Sequence, residues 1–286
     1  MIKLTECPRD AMQGIKEFIP SEKKIKYINQ LLKVGFNTID FGSFVSPKAI
    51  PQLKDTADVL NQLDLSSSKS KLLAIIANTR GAEDACQFNE ISYLGFPFSI
   101  SETFQQRNTN SSIAESLIRV EEIQNLCIKH NKQLVVYISM AFGNPYGDVW
   151  SPEIAINWCS HLQQLGIKYL PLADTIGCST PENIKQLFGT LIPEFKNVEF
   201  GAHLHSISAT ALEKISAAYW SGCRSFDAAI HGFGGCPMAK DDLTGNIATE
   251  DILFFAENNK LDSVDLNKEE LKNSFELSWE IFNNYH

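Results

Sequence analysis

His203-Leu204-His205 is the sharpest chemical signal in this sequence. Along an extended segment, residues i and i+2 face the same side, so two imidazoles converge there and can hold one ion. Asp10 and Asn246 add oxygen donors, and no thiolate stands out among the four. That set suits Mg²⁺ or Mn²⁺ better than structural zinc, although imidazole also binds zinc well. Arg9 directly precedes Asp10. A guanidinium fixed beside a cation is useful where negative charge collects between them, as it does in an enolate. The plainer alternative makes Arg9 an ion-pair partner of Asp40 or Asp174. Cys236 lies in Gly234-Gly235-Cys236-Pro237, a flexible-then-rigid setting suited to carrying a thiol to and from a site. Its alternative is a packed free cysteine.

Such residues need a frame, and the chain supplies one by alternating short β-rich runs with longer amphipathic stretches. Eight strands are predicted: Ile2–Thr5, Phe36–Asp40, Leu72–Ala77, Ile91–Phe96, Leu134–Ser139, Tyr169–Ala173, Val198–Ala202 and Arg224–Ala229. Most starts lie roughly 25–40 residues apart, enough for a crossover helix each time. Between them, Ser112-Ile113-Ala114-Glu115 is a capping box, and Ser151-Pro152 and Thr180-Pro181 place an N-cap before a helix-starting proline. Apolar faces follow at helical spacing: Ile25, Ile28, Leu32; Ile113, Leu117, Val120, Ile123; Ile154, Trp158, Leu162, Leu165. Gly35, Gly166 and Gly222 read as helix ends leading straight into strands. Without a linker to divide it, the chain is expected to form one domain over 1–286, an α/β (β/α)₈ TIM barrel rather than an open doubly wound sheet.

In such barrels chemistry sits beyond the strands' C-terminal ends. There the sequence places Arg9 and Asp10 after strand 1, Asp40 and Ser43 at strand 2, Ser101 and Glu102 after strand 4, and Asp174-Thr175 after strand 6. The two histidines follow strand 7, and His231, Cys236 and Asn246 follow strand 8. Loops are polar in any protein, so the convergence on one face carries more than any single residue.

Composition narrows the partners. Lys and Arg number 25 against 34 Asp and Glu, a formal charge of −9, with no basic patch to recruit nucleic acid or an anionic membrane. No apolar run approaches the ~18 residues of a spanning helix. Glu6 comes too early for a signal peptide, so a cytoplasmic location is expected. The seven cysteines contain no CxxC pair and read as reduced thiols. Gly232-Phe233-Gly234-Gly235 is not a dinucleotide fingerprint.

Several segments together resemble the 3-hydroxy-3-methylglutaryl-CoA lyase family, within the metal-dependent TIM-barrel lyases. They are Pro8-Arg9-Asp10-Ala11-Met12-Gln13, Ser43–Lys48 with Pro51-Gln52, Asp174-Thr175-Ile176-Gly177, His203-x-His205, Gly234–Pro237, and Gly245-Asn246-x-Ala248-Thr249-Glu250-Asp251. The resemblance implies a metal held by Asp10, His203, His205 and Asn246. It implies Arg9 polarising a thioester carbonyl, Cys236 delivering a proton to the departing enolate, and Asp40 and Asp174 assisting. His203 and Asp10 are the candidate bases. Lys16 falls where the family turns a basic residue toward coenzyme A, and Asn108 and Ser43 lie in other matching stretches expected to bind it. The reaction implied is retro-Claisen cleavage of 3-hydroxy-3-methylglutaryl-CoA to acetyl-CoA and acetoacetate, usually in leucine degradation, with an acyl-CoA partner; a homodimer is left open. Three residues depart from the pattern: Asp40 stands for a Glu, Ser206 for an Asp, and His231 for a small residue. A contact retracted by about an ångström is expected at Asp40. Ser206 and His231 are candidates to compensate each other. The rival readings are a synthase of the isopropylmalate or citramalate kind, which tends to carry C-terminal regulatory segments beyond a stretch like Lys268–Phe282, a lyase for another 3-hydroxyacyl-CoA, and a non-catalytic acyl-CoA-binding scaffold.

Overall fold

Eight parallel strands close on themselves in sequence order, β1 pairing with β8 through Lys3↔Ser225 to Glu6↔Ala228. The structure, a computed structural model, describes residues 1–235, 244–262, 265–283 and 285. The strands are β1 (Lys3–Glu6), β2 (Thr38–Ser43), β3 (Lys71–Ile75), β4 (Ile91–Ser99), β5 (Gln133–Ser139), β6 (Tyr169–Ala173), β7 (Glu199–His203) and β8 (Ser225–Ala228). Around them run α1 (Pro8–Gln13), α2 (Ser21–Leu32), α3 (Thr56–Leu60), α4 (Thr79–Cys86), α5 (Glu102–Thr109), α6 (Ile113–Lys129), α7 (Pro152–Gln164), α8 (Pro181–Glu194) and α9 (Ser208–Trp220). After β8 come α10 (Thr249–Asn258) and α11 (Lys268–Phe282). This is the (β/α)₈ barrel expected from the alternation.

Local chemistry sets the ends. Ser112 Oγ accepts from the Glu115 N–H at 3.1 Å while the Glu115 carboxylate accepts from the Ser112 N–H at 2.7 Å, the reciprocal box that starts α6. Gly35, Gly166 and Gly222 take φ of +97°, +82° and +102°, which turn the chain from helix into strand without a Cβ clash. Strand alternation then divides the core in two. Phe36, Phe96, Phe98 and Phe226 pack outward under the helices, whereas Leu73, Ile75, Val135 and Tyr137 form a small apolar group inside the barrel.

Some strand boundaries differ from the sequence expectation, and the differences matter for the site. Pairing of β2 begins at Thr38, opposite Thr5 and Lys71, and the Asn37 side chain just before it accepts the Leu4 N–H at 2.8 Å. It then continues to Ser43, which puts Asp40 inside the strand instead of at its end. β7 runs through His203, paired with Ala173, so the first histidine belongs to the strand and the second to the segment just beyond it.

Glu6 ties the barrel seam. Its carboxyl accepts from the Ile230 N–H at 2.8 Å and pairs with Thr249 Oγ1 at 2.6 Å, joining β1 to the segments before and at the start of α10. Burial pushes this carboxyl up to about 8. The unfolded chain ionises near 4.5. Between those values the folded state keeps a proton that the unfolded state has lost, so stability falls as pH rises from about 5 to 8. Glu6→Gln, which preserves both hydrogen bonds, is expected to flatten that decline by an amount on the order of a few kcal/mol. Urea unfolding at intervals across this range checks it; identical slopes for wild type and variant would contradict it.

Candidate active site

A cavity of about 600 Å³ opens at the C-terminal ends of the strands, with Arg9, Asp10, Gln13, Lys16, Asn108, Tyr137, His203 and His205 among its lining. Pro8, at the first turn of α1, starts this helix almost directly after β1, so Arg9 and Asp10 project from a short helix rather than a free loop.

Arg9 is almost fully committed. Nε reaches Asp40 Oδ2 at 3.0 Å and Nη2 the same oxygen at 2.5 Å, while Nη1 donates to Asp10 Oδ1 at 2.9 Å and Gln13 Oε1 at 2.8 Å. A guanidinium has five N–H bonds, so one at Nη2 is left for a ligand. The shorter Asp40 carboxylate therefore leaves no gap: the contact expected to retract is made at two points. Burial works against charge on Asp10, yet Arg9, His203 and His205 hold it down at about 2. Burial pushes Asp40 up to about 6 against the pull of Arg9.

The histidines differ in their surroundings. His203 Nδ1 lies 3.1 Å from Asp227 Oδ2, and this carboxylate overcomes burial to raise the imidazole pKa. His205 is 3 % exposed, and neither ring nitrogen has a partner among the described residues. Burial, then the neighbouring His203, pushes it down to about 4, so it is neutral at pH 7. Ligand atoms of Asp10, His203 and His205 all lie within 4.8 Å of one another. An ionised carboxylate, a neutral imidazole and an orphaned buried nitrogen are what a divalent cation requires. Cys7, His203 and Asp227 form a second close group. There, burial raises the Cys7 thiol well above its usual range, so it stays protonated and a poor ligand.

Asn246 reaches the cluster through an isolated antiparallel bridge to His205. Its Nδ2 donates to Asp10 Oδ2 at 2.7 Å and the Phe233 carbonyl at 2.9 Å, which leaves Oδ1 uncommitted among the described residues. The structure thus brings together Arg9, Asp10, His203, His205 and Asn246, with Lys16 and Asn108 on the same cavity wall. Asp40, Asp174 and Ser43 stand behind it. Asp174 is engaged by Lys214 Nζ at 2.9 Å and the Ser179 N–H at 3.0 Å, and Ser43 Oγ accepts the Val45 N–H at 3.1 Å, so both shape backbone rather than face a ligand. Cys236 lies outside the described residues. Ser206 and His231 do not compensate each other: Ser206 bonds Thr210 and the Ile207 carbonyl, while His231 pairs with Glu250.

Two residues escaped the sequence reading. Asp227 was legible only as an acid between Phe226 and Ala228 of a strand. Lys214 looks like any polar helix position, yet it is 4 % exposed and donates to Asp174, the Gly177 carbonyl and the His205 carbonyl at 2.9, 3.1 and 2.9 Å.

Residues 3–276 match the HMGL-like family model. Hydroxymethylglutaryl-CoA lyase YngG of Bacillus subtilis is 36% identical over 252 residues, 87% of this chain and 83% of that protein. The 3-hydroxy-3-isohexenylglutaryl-CoA/hydroxy-methylglutaryl-CoA lyase of Pseudomonas aeruginosa is 34% identical over 256 residues, 88% and 84% of the two chains. An HMG-CoA lyase from Acinetobacter baumannii, solved in complex with coenzyme A and 3-methylmalate, aligns with a TM-score of 0.90 at 30% identity, covering 99% of this chain and 92% of that one.

The Lys214–Asp174 pair generates a prediction. Lys214→Met strands a buried carboxylate and is expected to cost about 3–5 kcal/mol in guanidinium unfolding, with part recovered by adding Asp174→Asn. A loss below about 1 kcal/mol would show that the pair is effectively solvated.

Proposed function

This chain belongs to the HMGL-like family, and on that premise we propose that it is a carbon–carbon lyase cleaving 3-hydroxy-3-methylglutaryl-CoA to acetyl-CoA and acetoacetate. In this reading residues 1–286 act as one lyase domain. The observation that carries it is His205, buried with two ring nitrogens unpartnered among the described residues, beside Asp10 and His203 in the lining of a cavity that Arg9 also lines.

Asp10, His203, His205 and Asn246 are assigned as metal ligands, with Mg²⁺ or Mn²⁺ favoured over Zn²⁺ because the set pairs two imidazoles with two oxygen donors and no thiolate. A cation held there would supply Lewis acidity to oxygens of the substrate. When the substrate hydroxyl passes its proton to water in the open cavity, the bond between C2 and C3 breaks. C3 becomes the ketone of acetoacetate, and the electron pair passes to C2 as the thioester enolate. Arg9 meets that developing charge with its one uncommitted N–H, held in place by Asp40. A proton returned to C2 completes acetyl-CoA. Cys236 is assigned this delivery; the chain leading to it passes the site, since a Cβ at Gly234 would stand 3.0 Å from the Asp10 carbonyl. Asp10, held at about 2, is too weak a base for the hydroxyl proton, and His203, its Nδ1 committed to Asp227, has only Nε2 to offer, which the ligand role takes up. Both fit the ligand role better than that of base.

Lys16 and Asn108 line the same cavity and are assigned to the coenzyme A portion. Asp174 acts through Lys214, which grips the His205 carbonyl. Among the described residues no helix is long and apolar enough to cross a membrane. A cytoplasmic location is proposed from the sequence alone, and a place in leucine breakdown from the resemblance.

Purified protein given 3-hydroxy-3-methylglutaryl-CoA with Mg²⁺ or Mn²⁺ is expected to release acetoacetate, and excess chelator to stop it. Folded, metal-loaded protein that releases none would overturn the reading. Arg9→Met is expected to lower kcat by at least ~10²-fold with little change in KM. Unchanged turnover would remove Arg9 from the chemistry.

A further inference from the structure

His231 is one of five described non-glycine residues with positive φ, at +61°, a conformation that costs a side chain bearing Cβ roughly 1 kcal/mol or more. What holds it there is a set of contacts from elsewhere in the chain. Glu250, on α10, lies with Oε1 2.7 Å from His231 Nδ1 and accepts the His231 N–H at 3.1 Å through Oε2. On the other side the ring lies on Trp279 of α11, centroids 4.4 Å apart at 31°, and Nε2 is 3.3 Å from the Phe275 carbonyl. Two residues on, Phe233 stacks on Phe282 of the same helix at 4.4 Å and 24°.

The intervening glycines face the opposite way. A Cβ at Gly232 would lie 3.0 Å from the Asn246 carbonyl, and one at Gly234 would lie 2.7 Å from Asn246 Nδ2 and 2.9 Å from Ala11 Cα. The segment 231–234 is therefore a spacer of one chain's thickness between α11 and the Asp10–Asn246 pair. Its aromatic side chains lock outward and its bare backbone presses inward. The Phe233 carbonyl is one of the two acceptors that orient the Asn246 amide; the other is Asp10.

We propose that His231, clasped between Glu250 and Trp279, is a positioning residue for the metal site, and that α11 sets the place of Asn246 through it. This rests on the ligand assignment made under the proposed function. His231 touches neither substrate nor cation; it fixes the strip of backbone that fixes Asn246. Groups that orient ligands in this way commonly govern metal affinity by about 10–100-fold.

The test is Mn²⁺ affinity of the folded protein, read by isothermal titration and by the electron paramagnetic resonance signal of free Mn²⁺, with melting temperature recorded in chelator. His231→Gly keeps the left-handed backbone and removes the ring. Trp279→Ala removes the opposing face from a half-exposed position, so it leaves a folded protein should the first variant fail to fold. Both are expected to weaken Mn²⁺ binding by about tenfold or more. His231→Phe, which restores a ring against Trp279, is expected to recover most of the affinity, and Trp220→Ala, an exposed tryptophan on α9, to leave it unchanged. Wild-type affinity in His231→Gly and Trp279→Ala, even with a lowered melting temperature, would overturn the proposal and leave the clasp a purely structural one. Failure of wild type itself to bind Mn²⁺ would instead bring down the ligand assignment, and this proposal with it.

Discussion

Four carboxylates crowd the upper end of this barrel, and balancing them is the constraint on which the site depends. Asp10, Asp40, Asp174 and Asp227 are all buried, and the fixed cations beside them are Arg9 and Lys214. Arg9 bridges Asp10 and Asp40, Lys214 holds Asp174, and Asp227 leans on an imidazole. Two carboxylates' worth of negative charge is left over in surroundings where unpaired charge is costly. A divalent cation among Asp10, His203 and His205 would offset it. Burial first, and then the neighbouring carboxylates, make Asp40 and Cys7 harder to ionise, while Asp227 makes His203 easier to protonate against its burial.

That charge cluster also explains why the barrel is built around it as it is. The interior carries only a small apolar group, and the larger core lies outside, under the helices. Stability comes from the outer layer, which leaves the inner upper end to polar groups. Short, direct connections hold these in place. α1 follows β1 almost at once, β7 ends in His203, and a single bridge carries Asn246 to His205. Even the C-terminal helix α11 takes part, since its aromatic residues back the segment that borders Asn246.

The barrel was legible in the sequence because strands buried on both faces leave continuous apolar runs, and because glycine marks the helix ends. Tyr169–Ala173 and Lys268–Phe282 come out with the expected limits. The clustering of Asp10, His203 and His205 was legible because His203-x-His205 and Arg9-Asp10 are local patterns. Their supports were not. Asp227 acquires meaning from a partner 24 residues away and Lys214 from partners as far as 40 residues away, and nothing in the neighbouring sequence marks either. Asp174 and Ser43 mislead for the converse reason: each lies at a strand end, where ligand-facing residues are expected, but turns its side chain back to hold the chain. Polar type and position announce a candidate; which way the side chain is spent depends on long-range packing.

The account stands on a divalent cation occupying the Asp10–His203–His205 cluster. Crystals grown with Mn²⁺ and measured at a wavelength where manganese scatters anomalously test this most directly. The predicted result is one strong anomalous peak within about 2.0–2.4 Å of an Asp10 oxygen and of one nitrogen on each histidine, with Asn246 Oδ1 completing the set. A map with no peak there, and His205 instead hydrogen-bonded through both ring nitrogens to water or protein, would contradict it.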